Sequence, residues 1–368
     1  MGRHNLMIVL VVLALVNVPK PGSAAELTMI LQQGARGFTG TRDVQIPADP
    51  RFRDQNLGGR PFTGVWRDEE VSLVAFDLSS IPRSARVTSA YLELHLWSVG
   101  HSEEEVAREY VVEAYEFTHP WSEGTGIETG DPTRDGATMA TSNGKDAWPG
   151  VGLVDAAGDV EGAAVISAGL DQRWYRLLLD EALVNKWIDH PEQNNGLMIR
   201  GRAPGKAAAF YAHEHDDSEK RPILRLEISI PDRDLALLGS LAASDLTWED
   251  YLTDCGLPAQ KENEARSELV FRRRYQNQFV QWTGTVYSVK EALADGFLIG
   301  VTMDPSESTL GADDLTLIAP TGMQAQVLEL NKGDSITFLA RLRGQGGFIL
   351  NHRLELVSII PNAGETTE

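Results

Sequence analysis

Apolar residues recur at every second position along much of this chain. In residues 87–97, Ala90, Leu92, Leu94 and Leu96 share one face. A period of two with one apolar face predicts a half-buried strand. Residues 223–230 repeat the pattern, with Leu224, Leu226 and Ile228 opposite Arg225 and Glu227. Residues 71–78 are apolar on both faces and predict an interior strand. Residues 174–179, 196–200 and 207–212 read as further short strands. One segment departs from the alternation. Leu183, Val184, Trp187 and Ile188 recur at helical spacing after Asp180, a helix-capping residue, and Pro191 ends the run. Repeated strands with a single short helix predict a β-sandwich. Residues 123–162, rich in Gly, Asp and Thr, read as a long loop or insertion, the kind of segment that is often functional.

The pattern changes at residues 231–244, which read as a short helix bridging two domains. Thr247 then caps a helix that carries Trp248 and Tyr251 and stops at Gly256. A second helix is predicted over residues 263–275. Strands return at 279–289, 297–303, 314–318, 335–342 and 348–358. Five strands in about 80 residues fit a small closed barrel. The predicted fold class is therefore all-β: a jelly-roll-like β-sandwich, then a small OB-like β-barrel with flanking helices. The expected divisions are a leader over 1–25, the sandwich over 26–230, a linker over 231–246, the barrel with its helices over 247–360, and a disordered tail over 361–368.

Composition narrows the partners. The 368 residues carry a formal net charge of −20, which repels phosphate backbones and argues against nucleic acid. The 34 glycines and 17 prolines supply the turns that short strands need. Arg3 and His4 open the chain, residues 6–18 are apolar apart from Asn17, and Gly22-Ser-Ala-Ala25 offers small residues for cleavage. This is the layout of a secretory signal peptide. The apolar run of 13 residues is short of the ~20 that span a bilayer. The expected protein is secreted, extracellular or in the cell envelope, and does not span the membrane after cleavage. Cys255 is the only cysteine, so no internal disulfide forms.

Ordered motifs add a family resemblance. The opening Met29-Ile-Leu-Gln-Gln-Gly-Ala-Arg-Gly-Phe-Thr-Gly-Thr-Arg-Asp43 is followed by Ala75-Phe-Asp-Leu-Ser-Ser-Ile-Pro82 and Val87-Thr-Ser-Ala-Tyr-Leu92. Then come His119-Pro-Trp-Ser-Glu-Gly-Thr125, Asn195-Gly-Leu-Met-Ile-Arg-Gly201, Phe210-Tyr211 and Arg221-Pro-Ile-Leu224. In these residues the first domain resembles the DNRLRE domain family, which overlaps family 96 carbohydrate-binding modules. The resemblance implies a binding module of surface and polysaccharide-degrading proteins. In Val280-Gln-Trp-Thr-Gly-Thr-Val286, Asp314-Leu-Thr-Leu317, Val327-Leu-Glu-Leu330, Gly333-Asp-Ser-Ile-Thr-Phe338 and Leu354-Glu-Leu356 the second domain resembles the lumenal OB-like region of wolframin. That resemblance implies a fold and a protein-contact role, and no activity.

Trp66, Trp97, Trp121 and Trp148 are candidates for stacking on sugar rings, because an aromatic face is a flat apolar platform for sugar C–H groups. The binding residues expected are Trp66, Trp148 in the insertion, and Arg67, which can pair with a uronate carboxylate. Trp121, inside a family motif, reads as packing. His213, His215 and Asp217 would share a strand face, a zinc-like set, but the segment leads into a turn and reads first as a solvated strand end. Asp131, Asp135, Asp155 and Asp159 lie in the insertion, where oxygen-rich loops can hold calcium, yet turn-forming aspartates are the plainer reading. The identity of any metal stays open at this stage. Cys255 reads as a small buried thiol and Arg272-Arg-Arg274 as a solvated helix face. The expected protein binds polysaccharide or cell-surface glycan without catalysis, and its barrel docks a protein partner. The alternatives are a structural surface or adhesion protein making only protein contacts, and a polysaccharide lyase or hydrolase.

Overall fold

The structure is a computed structural model that describes residues 24–47, 49–66, 70–101, 109–130, 133–150, 152–153, 157–167, 173–202, 206–292, 296–303, 313–347 and 351–360. The expected leader, apart from Ala24 and Ala25, and the expected tail lie outside the described residues.

The first unit is a sandwich of two sheets. The first sheet joins β1 (Ala24–Gln32), β11 (Ile223–Pro231), β5 (Arg86–His101), β10 (Lys206–Tyr211) and β3 (Phe62–Trp66), with β8 (Trp174–Leu179) paired to β5. The second runs in the order β2 (Thr41–Ile46), β4 (Val71–Phe76), β9 (Leu197–Gly201), β6 (Glu109–Phe117) and β7 (Ala157–Ser167). Every pairing in both sheets is antiparallel. The alternation in the sequence becomes the core. Leu92, Leu94 and Leu96 of β5 and Leu224, Leu226 and Ile228 of β11 meet Val74 and Phe76 of β4, Val112 and Ala114 of β6, and Leu197 and Ile199 of β9. Helix α1 (Glu181–Asp189) closes this core with Leu183, Val184, Trp187 and Ile188, and the Asp180 carboxylate caps it by accepting from Ala182 N–H.

Two boundaries differ from the sequence reading. β1 already includes Ala24 and Ala25, and Ala25 is a core residue, so the sandwich begins before residue 26. The stretch read as a loop to residue 162 gives way to strand β7 at Ala157. Its glycines at 158 and 162 and its exposed Val160 and Val165 hide the period. β7 is an edge strand with register shifts against β6, where little apolar alternation is required.

The remainder of the insertion is packed. Phe117, Trp121, Ala137, Trp148 and Leu153 cover the outer face of the second sheet against Val44, Ile46, Leu73, Ala75 and Met198. β4 is therefore buried on both faces, as its unbroken apolar run predicts.

The second unit is a closed five-stranded barrel in the order β12 (Phe279–Glu291), β13 (Phe297–Thr302), β14 (Leu315–Ala319), β16 (His352–Ile360) and β15 (Ser335–Gly344). β14 and β16 pair in parallel and all other pairs are antiparallel, an OB-like topology. A short α4 (Gln324–Leu328) separates the third and fourth strands. Helices α2 (Trp248–Cys255) and α3 (Leu257–Val270) flank the barrel, and α2 sends Tyr251 and Cys255 into its core. The second helix starts earlier than predicted because Gly256-Leu-Pro258 opens a helix of its own, and the chain kinks at Asn263. The linker is a docked 3₁₀ segment, Asp232–Ala242. Its Leu235, Leu238 and Leu241 bury with Phe279 and Leu339 of the barrel in the same core as the sandwich. Two ion pairs, Arg341 to Asp232 at 2.9 Å and Arg36 to Asp245 at 2.7 Å, pin its ends.

Candidate functional site

The solvent face of the first sheet carries a band of aromatic side chains. In β3, Thr63 and Val65 point inward, so Phe62, Gly64 and Trp66 point out. In β5, Leu92, Leu94 and Leu96 point inward, which turns Tyr91, Glu93 and His95 out. Trp97, next after the inward Leu96, points out beside them, at the bulge opposite Ala209 and Phe210. In β8, Leu177 and Leu179 point inward and Trp174 and Arg176 outward. Trp66, Trp97 and Trp174 are 38%, 40% and 41% exposed. Three half-open tryptophans on one face of one sheet form a flat apolar surface patch.

The band is organised. Phe62 and Trp97 stack with centroids 4.5 Å apart, and the Arg60 guanidinium lies over Phe62 at 4.2 Å. His95 meets Trp174 and Tyr211 edge-on at 5.1 and 5.2 Å. Glu93, although facing outward, is buried by Arg176 at 2.6 Å and Arg225 at 3.0 Å. Between the Phe62–Trp97 stack and Trp66 lie Gly64 and its cross-strand neighbour Ala209, with Ala207 opposite Trp66. These small residues lower the floor of a shallow trough. Phe62 and Trp66 stand four steps apart along the strand, about 13 Å, which suits an extended chain better than a single ring.

The residues expected from sequence divide. Trp66 stands in this band. Arg67 lies outside the described residues. Trp148 must be corrected: it is 6% exposed, packs edge-on against Phe117 at 5.6 Å and donates its indole N–H to Thr138 O at 2.8 Å. It is a core residue under the insertion and offers no face to a ligand. Trp121 is packed likewise, with Arg42 over its ring at 4.5 Å. Sequence reasoning missed Trp174 altogether and passed over Trp97. Both lie opposite the apolar positions of well-alternating strands, and that position was the signal.

A second constellation lies where β2, the end of β10 and the insertion converge. His213 follows β10. Its Nδ1 is 3.2 Å from Asp43 Oδ2 and 3.3 Å from Glu123 Oε1, and its Nε2 is 3.1 Å from Glu214 Oε1. The backbone N–H of His213 donates to Asp43 Oδ2 at 2.8 Å, and that of Asp43 to Glu123 Oε1 at 2.5 Å. Asp43 is 2% exposed. Burial, reinforced by the neighbouring carboxylates, pushes Glu123 up to about 7 and Glu214 up to about 9. His213 is raised as well: burial opposes its charge, and the hydrogen bond and charge of Asp43 outweigh it. Asp43, His213 and Glu214 are close enough to share a metal ion.

The expected sharing of one face by His213, His215 and Asp217 does not occur, because the strand ends at Tyr211. His215 packs on Tyr211 at 4.5 Å and accepts from Asp217 N–H, while Asp217 pairs with Lys220 at 2.9 Å. Nor is this end simply solvated, since His213 is largely buried. Of the calcium candidates, Asp131 and Asp155 lie outside the described residues. Asp135 accepts from the N–H and hydroxyl of Thr125, and Asp159 sits apart on β7. Cys255 is buried and its thiol pushed up to about 12 by burial, so it stays protonated and unreactive. Arg272 pairs with Glu268 at 2.5 Å and Arg274 with Asp254 at 2.9 Å, which spends much of that basic run. A groove of about 580 Å³ at the junction of the two units is lined by Arg36, Asp245, Trp248, Gln281, Trp282 and Thr283.

Compared with known proteins, the chain matches no family profile and no curated protein. Among the described residues no helix is long and apolar enough to cross a membrane.

Proposed function

We propose that this chain is an exported glycan-binding protein that holds an extended polysaccharide along the outer face of the first sheet, and that it is not an enzyme. The observation that carries the reading is the alignment of three exposed tryptophans, Trp66, Trp97 and Trp174, on one face of one sheet. Aromatic faces take sugar C–H groups, and the neighbouring polar groups orient hydroxyls. Here Arg60, beside the Phe62–Trp97 stack, and Arg176, beside Tyr91, supply fixed donors for hydroxyl or carboxylate oxygens. The motif resemblance of the sandwich to family 96 carbohydrate-binding modules and the leader-like first residues point the same way. The barrel, held by a buried linker, serves as a spacer or partner-docking module at a fixed angle to the sandwich.

The test is affinity electrophoresis of the mature chain through gels carrying neutral or acidic polysaccharides, with Trp66→Ala, Trp97→Ala and the double variant alongside. Retardation by at least one polysaccharide is expected, weakened by each single change and lost in the double. If no polysaccharide retards the chain, or if the double variant runs like the parent, the reading is wrong. Release of reducing ends from a bound glycan would replace it with a hydrolase or lyase.

A further inference from the structure

We propose that Asp43, His213 and Glu214 form a divalent-cation site that ties the edge strand β2 to the end of β10, with Glu123 of the insertion held against it by the Asp43 N–H. Three segments far apart in sequence bring four donor side chains to one place. Asp43 comes from the second sheet, His213 and Glu214 from the end of the first, and Glu123 from the loop covering the second sheet's outer face. Three carboxylates therefore surround a single imidazole. Among the described residues no lysine or arginine pairs with any of the three. Arg42 spends its guanidinium on Trp121 O and the Trp121 ring. Arg221 spends its own on His215 O and Gln33 O. The cluster therefore gathers one imidazole and three carboxyl groups in a place largely closed to water.

A second, independent observation concerns Glu214. Its Oε2 is shut off from solvent and has no hydrogen-bond partner among the described residues. A buried carboxylate oxygen left so costs free energy unless a proton or a cation sits against it. The spacings suit a cation. Bonds of about 2.0–2.2 Å from a tetrahedral ion place neighbouring donor atoms about 3.3 Å apart. The Nδ1 of His213 lies 3.2 Å from Asp43 Oδ2 and 3.3 Å from Glu123 Oε1. One donor atom from each of Asp43, His213 and Glu214 falls within 4.8 Å of the others, with Asp43 beside the Nδ1 of the ring and Glu214 beside its Nε2. An imidazole among carboxylates selects a borderline ion such as Zn²⁺ over Mg²⁺ or Ca²⁺, which prefer oxygen throughout.

Isothermal titration of chelator-stripped mature chain with Zn²⁺ at pH 7 tests this. Saturable binding of one ion is expected. Glu214→Gln removes a buried charge without opening a cavity and is expected to fold, while its Zn²⁺ affinity falls more than about tenfold. Asp43→Asn repeats the test from the opposite sheet, and Ca²⁺ and Mg²⁺ titrations serve as competitors. No binding, or binding unchanged in both variants, would overturn the site. Tight Ca²⁺ binding that survives His213→Gln would overturn the assignment of the imidazole as a ligand.

Discussion

The insertion hangs on one side chain, and removing it is the sharpest test of how the second sheet is covered. Asn56 is fully buried. Its Nδ2 donates to Glu123 O at 2.5 Å and to Ala137 O at 3.0 Å, and its Oδ1 accepts from Gly58 N–H and Gly126 N–H, both at 3.1 Å. All four hydrogen-bonding positions of the carboxamide are thus used on backbone groups of the covering loop. The loop closes so tightly here that a Cβ on Gly126 would lie 2.0 Å from Asn56 O, and one on Gly136 2.3 Å from Glu123 O. Asn56→Ala strips four backbone groups of their partners at once. Each buried unmet group costs about 1–3 kcal/mol. Water entering the vacated space and relaxation of the loop favour the lower end, so the expected loss is about 4 kcal/mol. Asn56→Asp keeps the shape but sets a carboxylate oxygen against two carbonyls. It is expected to be as damaging at pH 7 and to recover in part below about pH 4, where an aspartic acid is protonated. Urea unfolding followed by tryptophan fluorescence measures the loss, and acrylamide quenching reports whether Trp121 and Trp148 have become reachable. Loss of less than 1 kcal/mol in Asn56→Ala, with quenching unchanged, would refute the reasoning and make the loop's cover independent of this side chain.

The remaining predictions are simpler. Trp148→Ala should cost about 3–5 kcal/mol by cavity formation, seen in thermal melts, while glycan retardation of the folded fraction stays at the parent level. Gly196 has φ +79°, and a Cβ there would sit 2.2 Å from Val74 O, so Gly196→Ala should lower the melting temperature by at least about 5 °C through strain. His352 is buried against Tyr251, accepts Gly346 N–H at its Nδ1, and is pushed down to about 4 by burial. The unfolded chain therefore binds a proton that the folded chain refuses between about pH 6.5 and 4. Stability conferred by the neutral ring is complete above the unfolded value and is lost as the pH falls through that window, by up to about 3 kcal/mol. Urea midpoints at pH 7 and pH 4.5 measure it, and His352→Gln should flatten the difference.

Much of the scaffold was legible because its elements are set by local rules. The inward leucines of β5 and β11, the Asp180 cap of α1 and the Thr247 cap of α2 all stand where period and capping chemistry put them. β7 was illegible for a physical reason. An edge strand paired on one side needs only one strongly buried residue, and Ile166 fills that role. Exposure of the tryptophans was half legible. Alternation fixes which face Trp97 and Trp174 occupy, but whether that face meets water depends on what folds over it. Here the insertion covers the second sheet and leaves the first open, a choice made by Asn56, Trp121 and Trp148 acting across many residues of chain. Trp148 sits in no periodic element, so nothing local distinguished a buried indole from an exposed one.

The same asymmetry of cover explains why the two candidate sites differ in kind. The open face of the first sheet offers broad, rigid, weakly charged contact, which favours ligands that lie flat and are held by many small interactions. The cluster at Asp43 and His213 sits where the covered sheet and the open sheet are stitched together, and its donor groups are concentrated and largely buried. A group of that description acts on whatever connects its contributing segments. Occupancy at the cluster therefore stiffens the loop over the second sheet, while the band containing Trp66 and Trp97, built on different strands, keeps its geometry. Cation removal should accordingly loosen Trp121 and Trp148 toward acrylamide and leave glycan retardation unchanged. A loss of glycan binding on chelation would mean that the two faces are coupled through the core, and the separation argued here would fail.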